Sequence, residues 1–123
     1  MRKITLKKIE DSGLKVKGIG FTSHRYLTKK DGLGYTVCRT EIPAGGPYKW
    51  QYLNHMESCL CIKGRAKISD GSIIDYICPG DMYVVKDNEA HTFIALEDTV
   101  LISVFNPPLI GHEVHDENNS YTI

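Results

Sequence analysis

The chain has 123 residues, in which 15 lysines and arginines balance 15 aspartates and glutamates, and 41% of the residues are hydrophobic. This length supports one domain with its own core, and a balanced charge without a basic stripe or a charged block argues against a nucleic-acid partner. No apolar run is long enough to cross a membrane, and the N-terminus lacks the apolar stretch of a signal peptide. We therefore expect a single soluble, cytoplasmic domain over residues 1–123.

Short alternating stretches separated by turn signals recur along the chain, and they predict β-strands. Residues 2–9 predict an edge strand whose lysines discourage pairing with other chains. Residues 16–21 contain Gly18 and Gly20 and predict either a weak strand or a loop. No segment keeps a helical period, so the chain is predicted to be all-β, a sandwich or a barrel. The remaining predicted strands are residues 23–27, 35–42, 48–52, 57–62, 66–68, 73–77, 82–85, 91–96 and 100–105.

The four cysteines are Cys38, Cys59, Cys61 and Cys78. Their spacing fits no Cys-x-x-Cys zinc pattern, and without a signal peptide we expect them to be reduced. Buried free thiols are predicted for at least Cys61 and Cys78.

One carboxylate stands in an apolar strand, where Glu57 alternates with Cys59 and Cys61 on one face. An isolated buried charge is costly, so this carboxylate needs a partner, and a metal ion would serve. Read as strands, residues 56–91 can bring Glu57, Tyr83 and His91 together inside a small barrel. Taken singly, Tyr83 could equally be a packed aromatic, and His91 a hydrogen-bonded residue at the start of a strand.

The spacing of Glu57, six residues and Gly64, followed by Pro79-Gly80-Asp81 and a histidine after a polar loop, resembles the two motifs of the cupin superfamily. The resemblance implies a single-domain cupin, a small jelly-roll β-barrel. Cupins usually carry His-x-His shortly before the glutamate. Here Trp50, Gln51 and Tyr52 occupy that region.

The C-terminal segment narrows the resemblance. Residues 104–115 read Val-Phe-Asn-Pro-Pro-Leu-Ile-Gly-His-Glu-Val-His, with Ser120-Tyr121 beyond, and resemble the signature end of the ectoine synthases. These cupin enzymes close an acetylated diamino acid into a cyclic amidine, a compatible solute. The similarity covers nearly the whole chain, and its further matching positions are Ser23, Arg25, Thr40, Tyr52, His55-Met56-Glu57 and Gly80-Asp81-Met82-Tyr83.

The resemblance implies a metal-dependent hydro-lyase acting on N-γ-acetyl-L-2,4-diaminobutyrate or a close analogue. Fe²⁺, or another first-row divalent ion, would be held by Glu57, Tyr83 and His91, a ligand set that leaves coordination positions open. The family also implies a homodimer, with the N-terminal strand over residues 3–9 as the expected contact. The implied acid and base residues are Tyr52, Glu113 and His115.

Other side chains are implied to contact the substrate, with Arg25 binding its carboxylate. The set is Phe21, Ser23, Arg25, Cys38, Thr40, His55, Ser103 and Phe105. Plainer interpretations stay open: Arg25 as a surface charge, Phe105 as core packing, and Glu113 with His115 in a solvated tail. Residues 109–123 form a polar tail able to cover the pocket. His24 and His112 have no role in the family and are predicted to lie on the surface.

Three positions depart from the family: Phe21 replaces a tryptophan, Cys38 an asparagine and Ser103 a cysteine. All three belong to the implied pocket, so they leave the substrate open. One alternative is a related cupin enzyme with another substrate, or one that hydrolyses a cyclic amidine. Another is a non-catalytic cupin that binds a small molecule.

Overall fold

The structure, a computed structural model, describes residues 1–111 and 113. Strands dominate this part of the chain, with a short helix α1 (Leu6–Asp11) and a single 3-10 turn (Lys29–Asp31). The all-β prediction is confirmed. The strands are β1 (Lys15–Gly18), β2 (Phe21–Leu27), β3 (Thr36–Ile42), β4 (Gly45–Trp50), β5 (Met56–Lys63), β6 (Ala66–Ser69), β7 (Ile74–Ile77), β8 (Met82–Val85), β9 (His91–Ala95) and β10 (Thr99–Asn106).

Two antiparallel sheets enclose the core. A six-stranded sheet has the order β1-β2-β3-β10-β5-β8, and a four-stranded sheet has the order β4-β9-β6-β7. Buried apolar side chains from both sheets form one cluster, with Cys59 and Phe105 from the larger sheet and Trp50 and Phe93 from the smaller. Each sheet therefore buries one face against the other, as in a small β-barrel. No helix in the described part of the chain is long and apolar enough to span a membrane.

The N-terminal prediction is wrong, because a helix replaces the expected edge strand over residues 2–9. The side chain of Thr5 caps α1 by accepting a hydrogen bond from the backbone N–H of Lys8 at 3.2 Å. Of the helical residues only Ile9 is buried. This local capping outweighs a weak alternation of lysines and isoleucines. The strand expected to contribute a dimer contact over residues 3–9 therefore does not form, whereas the homodimer itself stays a prediction.

Two burial predictions are also wrong. Cys78 is exposed in the turn after β7, where its backbone N–H and its thiol both donate to the Asp81 carboxylate, at 2.9 and 3.3 Å. His24 is buried rather than exposed, because its strand β2 lies between β1 and β3 and α1 packs against it. The four cysteines are free, as predicted, and Cys61 is buried. His112 lies outside the described residues.

The register of the six-stranded sheet places side chains from five strands in one line. Arg25, Cys38, Ser103, Cys59 and Tyr83 are successive cross-strand partners along β2, β3, β10, β5 and β8. We call these residues the cross-strand row.

Parallel lines of partners flank the cross-strand row. Glu57 is the partner of Phe105 on β10, and Thr40 is the partner of Ser23 on β2 and of Leu101 on β10. Because residues two apart on a strand point to the same face, all these lines project from the same face of the sheet. That face is the inner one, as the burial of Glu57 and Cys59 shows.

Candidate metal and substrate site

A cavity lies between the two sheets, and we call it the inner cavity. Polar lining comes mainly from the six-stranded sheet, and aromatic rings contribute much of the remaining wall. Among the side chains predicted to contact a substrate, those that line it are Phe21, Ser23, Thr40, Ser103 and Phe105. Register explains this grouping, since these residues occupy inner-face positions on three adjacent strands, β2, β3 and β10.

Glu57 reaches the inner cavity from β5, and its side chain is only 6% exposed. Burial raises the pKa of this carboxyl to about 7, although hydrogen bonding from the thiol of Cys59 opposes the rise. Its Oε1 atom is buried and has no hydrogen-bond partner among residues 1–111 and 113. A buried acceptor in this state is poised for a cation or a donor supplied by a ligand.

His91 opens β9 and is also buried. Burial lowers the pKa of the imidazole, although the carbonyl and charge of Glu89 oppose this effect, so the ring is neutral near pH 7. Its Nδ1 lies 3.4 Å from the carbonyl oxygen of Glu89, which can only accept a hydrogen bond. The proton therefore belongs on Nδ1, and Nε2 presents a lone pair without a hydrogen-bond partner within the described chain.

Tyr83 lies close to both Glu57 and His91. It lines the inner cavity beside Glu57, and it lines a second, more open cleft together with His91 and Glu89. The centres of the Tyr83 and His91 rings are 6.3 Å apart. Burial of the hydroxyl and the neighbouring Cys59 and Glu57 raise the pKa of Tyr83 well above its usual value, so the phenol is protonated in this state.

The three donors fit a metal ion in kind. Two buried atoms, Glu57 Oε1 and His91 Nε2, have no hydrogen-bond partner in the described part of the chain, and Tyr83 stands between their two cavities. Carboxylate, imidazole and phenolate are ligands that first-row divalent ions accept. Within residues 1–111 and 113, no group of three His, Cys, Asp or Glu side chains is placed to hold a metal. A centre here would therefore need the phenolic oxygen as its third protein donor.

Tyr52 and His55 both pack against the ring of Phe105. The ring of Tyr52 is buried, lines the inner cavity and lies with its centre 6.0 Å from that of His91. His55 is buried, and its Nδ1 lies 2.8 Å from the carbonyl oxygen of Pro107. Its ring meets the edge of Phe105 at 6.2 Å. His55 thus joins the start of β5 to the segment that follows β10.

Arg25 and Glu113 form a buried ion pair, with Nη1 and Oε1 3.5 Å apart. Burial alone would raise the pKa of Glu113, but the backbone N–H groups of Gly111 and Ile110 and the charge of Arg25 hold it below its usual value. The Arg25 side chain also donates from Nε to Ser23 Oγ at 3.4 Å. Arg25 is therefore not a surface charge. His115 lies outside the described residues.

Cys38 is not among the residues that line the inner cavity. It is 1% exposed, and its neighbours along the cross-strand row are Arg25 and Ser103. Burial raises the pKa of its thiol to about 12, opposed by a hydrogen bond with Ser23 and by the charge of Arg25. Of the three departures from the family, Phe21 and Ser103 line the cavity and Cys38 does not.

Residues of the site without a role assigned from the sequence include Trp50 and Cys59, besides the apolar lining residues Ile42 and Leu101. Trp50 lines the inner cavity, stacks on Phe93 at 5.3 Å and meets the edge of Phe21 at 6.2 Å. Its position in the region of the missing His-x-His was the available signal. Cys59 lies between Ser103 and Tyr83 in the cross-strand row. Its alternation with Glu57 placed it on the correct face but gave it no function.

Comparison with protein families matches residues 1–123 to a model described as ectoine synthase. The L-ectoine synthase of Halalkalibacterium halodurans is 36% identical over 126 residues, covering 100% of this chain and 97% of that protein. The L-ectoine synthase of Desulfosudis oleivorans is 36% identical over 121 residues, covering 96% of this chain and 94% of that protein.

Comparison with solved structures gives a matching result. The crystal structure of ectoine synthase from P. lautus has a TM-score of 0.83 at 35% identity and covers 90% of this chain and 81% of that chain. An RmlC-like cupin from Shewanella frigidimarina has a TM-score of 0.63 at 16% identity and covers 76% of this chain and 81% of that chain. The second match concerns the fold alone. Together the two matches confirm the predicted cupin fold.

Proposed function

The chain belongs to the ectoine synthase family, a family of hydro-lyases, and we propose that it closes N-γ-acetyl-L-2,4-diaminobutyrate into a cyclic amidine with loss of water. The observation that carries this proposal is the Glu57 carboxyl, buried at the inner cavity with one oxygen unpartnered in the described structure, in a chain that matches the family from end to end. Burial of such a carboxyl costs free energy, which a bound cation or a hydrogen-bond donor on a ligand would offset.

The reaction is an internal condensation. The free amine of the substrate attacks the carbonyl carbon of its own acetamide, so a C–N bond forms and the ring closes. The carbonyl C–O bond then breaks, and the oxygen leaves as water. Both hydrogens of that water come from the substrate ammonium group, so no net proton is taken from the enzyme. The site must therefore hold the substrate in a folded conformation and transfer protons from the substrate nitrogen to the substrate carbonyl oxygen.

Glu57, Tyr83 and His91 would hold the divalent ion, which we propose to be Fe²⁺. When bound by these residues, such an ion would supply Lewis-acid polarisation of a carbonyl oxygen. Glu57 Oε1 and His91 Nε2, which have no hydrogen-bond partner among the residues that the structure describes, support these assignments, and the neutral state of His91 leaves its lone pair available.

The chain's other residues position the substrate. The hydroxyls of Ser23 and Thr40 line the inner cavity and are suited to donate to the substrate carboxylate, with the charge of Arg25 behind Ser23. The aromatic walls exclude water from the folded substrate, and Phe105 provides one of them. These contacts would hold the amine beside the carbonyl carbon.

Tyr52 and Glu113 are the described residues considered for proton transfer. Tyr52 lines the inner cavity, and in this proposal it would donate its phenolic proton to the departing oxygen. Glu113 is held ionised by two backbone N–H groups and by Arg25, which suits it to anchor the segment that follows β10. The roles predicted for Glu113 and His115 as acid or base stay predictions.

A changed substrate is the second candidate, and Phe21 with Ser103 favours it. Both line the inner cavity at positions where the family carries a tryptophan and a cysteine, so the wall differs in size and in polarity. A close analogue of the acetylated diamine would then be the substrate, or a cyclic amidine would be hydrolysed.

A direct assay separates these possibilities. Protein reconstituted anaerobically with Fe²⁺ is incubated with the acetylated diamine, and ring closure is followed by ¹H NMR. Ring closure that is lost in Glu57→Ala supports the proposal. Turnover of only a homologous acetylated diamine, or hydrolysis of the amidine, would support the second candidate. No turnover in either direction, with iron bound, would favour a binding protein and contradict both.

We also propose a homodimer, through β8 rather than the N-terminus. β8 is the last strand of the six-stranded sheet, and its outward side chains Met82 and Val84 are more than half exposed. Ile62 on the adjacent strand extends the same apolar face. Light scattering after size exclusion should give twice the chain mass for the wild type, and Val84→Glu should shift it towards the monomer.

A further inference from the structure

Cys59 is the member of the cross-strand row that has neither a family role nor a wall position in the inner cavity. Its side chain is fully buried. Its cross-strand partners are Ser103 on one side and Tyr83 on the other, and Glu57 precedes it by two residues on the same face of β5. Three residues that do line the inner cavity therefore surround one buried thiol.

Polar contacts join this thiol to the cavity wall. Cys59 Sγ lies 3.6 Å from Ser103 Oγ, and Ser103 Oγ lies 3.3 Å from Thr40 Oγ1. Thr40, Ser103 and Cys59 thus form a line of hydroxyl and thiol groups. It runs from the proposed carboxylate contact at Thr40, in the wall of the inner cavity, towards Glu57 and Tyr83. A buried thiol in an apolar core would otherwise find few partners, so this alignment is specific.

Cys59 is placed beside the proposed metal ligands rather than among them. Within residues 1–111 and 113, Glu57, Cys59 and His91 do not form a three-ligand group. Groups that hydrogen-bond to metal ligands orient them, and their loss commonly costs about 10- to 100-fold in metal affinity. Glu57 is long and flexible, and one of its oxygens has no hydrogen-bond partner in the described structure, so its orientation depends on such support.

We propose that Cys59 is a positioning residue of the site, whose thiol, supported by Ser103, fixes the orientations of the Glu57 carboxyl and the Tyr83 phenol. The inference rests on the proposed function for the metal-holding role of Glu57 and Tyr83. It does not depend on which acetylated diamine is the substrate.

The test compares two substitutions at Cys59. Cys59→Val keeps an apolar side chain and removes the donor, whereas Cys59→Ser keeps a donor. Cys61 provides the matched control, since it is buried two residues further along the same face and its thiol donates to the backbone carbonyl of Lys63. Cys61→Val therefore changes a buried thiol to the same side chain outside the site.

Two measurements use the full-length chain. Fe²⁺ affinity is obtained by competition with a chromophoric chelator under anaerobic conditions. The ¹³Cζ resonance of Tyr83 is recorded in metal-free protein and assigned through Tyr83→Phe. We expect Cys59→Val to weaken Fe²⁺ binding at least tenfold and to shift the Tyr83 resonance. Cys59→Ser should stay within about threefold of wild type in affinity, and Cys61→Val should change neither measurement.

The outcomes distinguish the positioning role of Cys59 from the assignment of Glu57 and Tyr83 as metal ligands. An unmoved Tyr83 resonance in Cys59→Val, or equal losses of Fe²⁺ affinity in Cys59→Val and Cys61→Val, would overturn the positioning role. A wild-type protein that binds no Fe²⁺, with a Tyr83 resonance that moves only in Cys59→Val, would overturn the metal assignment and keep the positioning of Tyr83. Urea unfolding of each variant identifies losses caused by a destabilised fold.

Discussion

The guanidinium of Arg25 and the carboxylate of Glu113 lie 3.5 Å apart, and both side chains are almost completely buried. Two backbone N–H groups, from Ile110 and Gly111, complete the surroundings of the carboxylate. The pair joins the C-terminal segment to β2, the strand that also supplies Ser23 to the inner cavity. Stability and the shape of the cavity are therefore connected through one ion pair.

Glu113→Gln should lower the free energy of unfolding by about 3 kcal/mol, because the buried guanidinium loses its charged partner. The matched control is Glu41→Gln, which breaks the partly exposed pair of Arg39 and Glu41 and should cost less than about 1 kcal/mol. Urea unfolding at pH 7 measures both. Equal and small losses in the two variants would contradict a stabilising role for the buried pair.

The stability of the metal-free protein should depend on Glu57. Its pKa is about 7 in the fold against a usual 4.5, so the folded state retains a proton that the unfolded state has released. Stability from this group is complete below about pH 4.5 and is lost as the pH rises through 7. The difference corresponds to about 3 kcal/mol by linkage.

Glu57→Gln isolates this contribution, because a glutamine does not titrate. Unfolding midpoints of metal-free wild type and Glu57→Gln are compared between pH 5 and pH 8.5. We expect the variant to gain on the wild type as the pH rises. The neutral imidazole of His91 acts in the opposite sense near pH 6 and is common to both proteins, so the difference between them removes it. A difference that stays constant with pH would contradict the raised pKa.

Tyr83→Phe should weaken Fe²⁺ binding at least tenfold while it preserves the packing of the ring, because only the phenolic oxygen is removed. Glu57→Ala should abolish retention of the metal. Tyr76→Phe is the control, since Tyr76 lies exposed on β7. Elemental analysis after anaerobic reconstitution gives the iron content, and chelator competition gives the affinity. Iron content in Tyr83→Phe equal to that of Tyr76→Phe would remove the phenol from the ligand set.

Gly64 should tolerate substitution far less than Gly71, although both have a positive φ, of 86° and 98°. A Cβ at Gly64 would lie 2.3 Å from the backbone oxygen of Asp98, whereas a Cβ at Gly71 meets nothing within 4 Å. Gly71→Ala should cost about 1 kcal/mol, from backbone strain alone. Gly64→Ala should cost clearly more, about 3 kcal/mol, because β5 and β10 must separate. Similar thermal midpoints for the two variants would contradict this assignment.

The strands of the barrel were predictable from sequence because alternation and turn residues are local signals. The inner face of β5 followed from Glu57, Cys59 and Cys61 alone, and the structure confirms that all three are buried. The strand predicted at the N-terminus was wrong for a local reason as well, since the cap at Thr5 favours a helix that hydrophobic alternation does not reveal.

Other features depend on contacts between distant parts of the chain. His24 is buried because neighbouring strands and α1 surround its strand, which no local pattern reports. The pairing of Arg25 with Glu113 requires the chain to return from β10 to β2. The place of Cys59 between Ser103 and Tyr83 depends on the register of three strands, so its contact with the site appears only in the folded protein.

Two of the proposed metal ligands, Glu57 and Tyr83, lie on strands that differ in how firmly they are held in the sheet. Glu57 lies on β5, which pairs with β10 and with β8, whereas Tyr83 lies on β8, the terminal strand of the order. Terminal strands detach at a lower free-energy cost than enclosed ones, so in a dissociated monomer brief fraying of β8 would withdraw the phenol while the carboxylate stays in place. Binding of the metal ion and ordering of β8 would then be thermodynamically coupled. Amide hydrogens of β8 should exchange markedly more slowly once the site is filled.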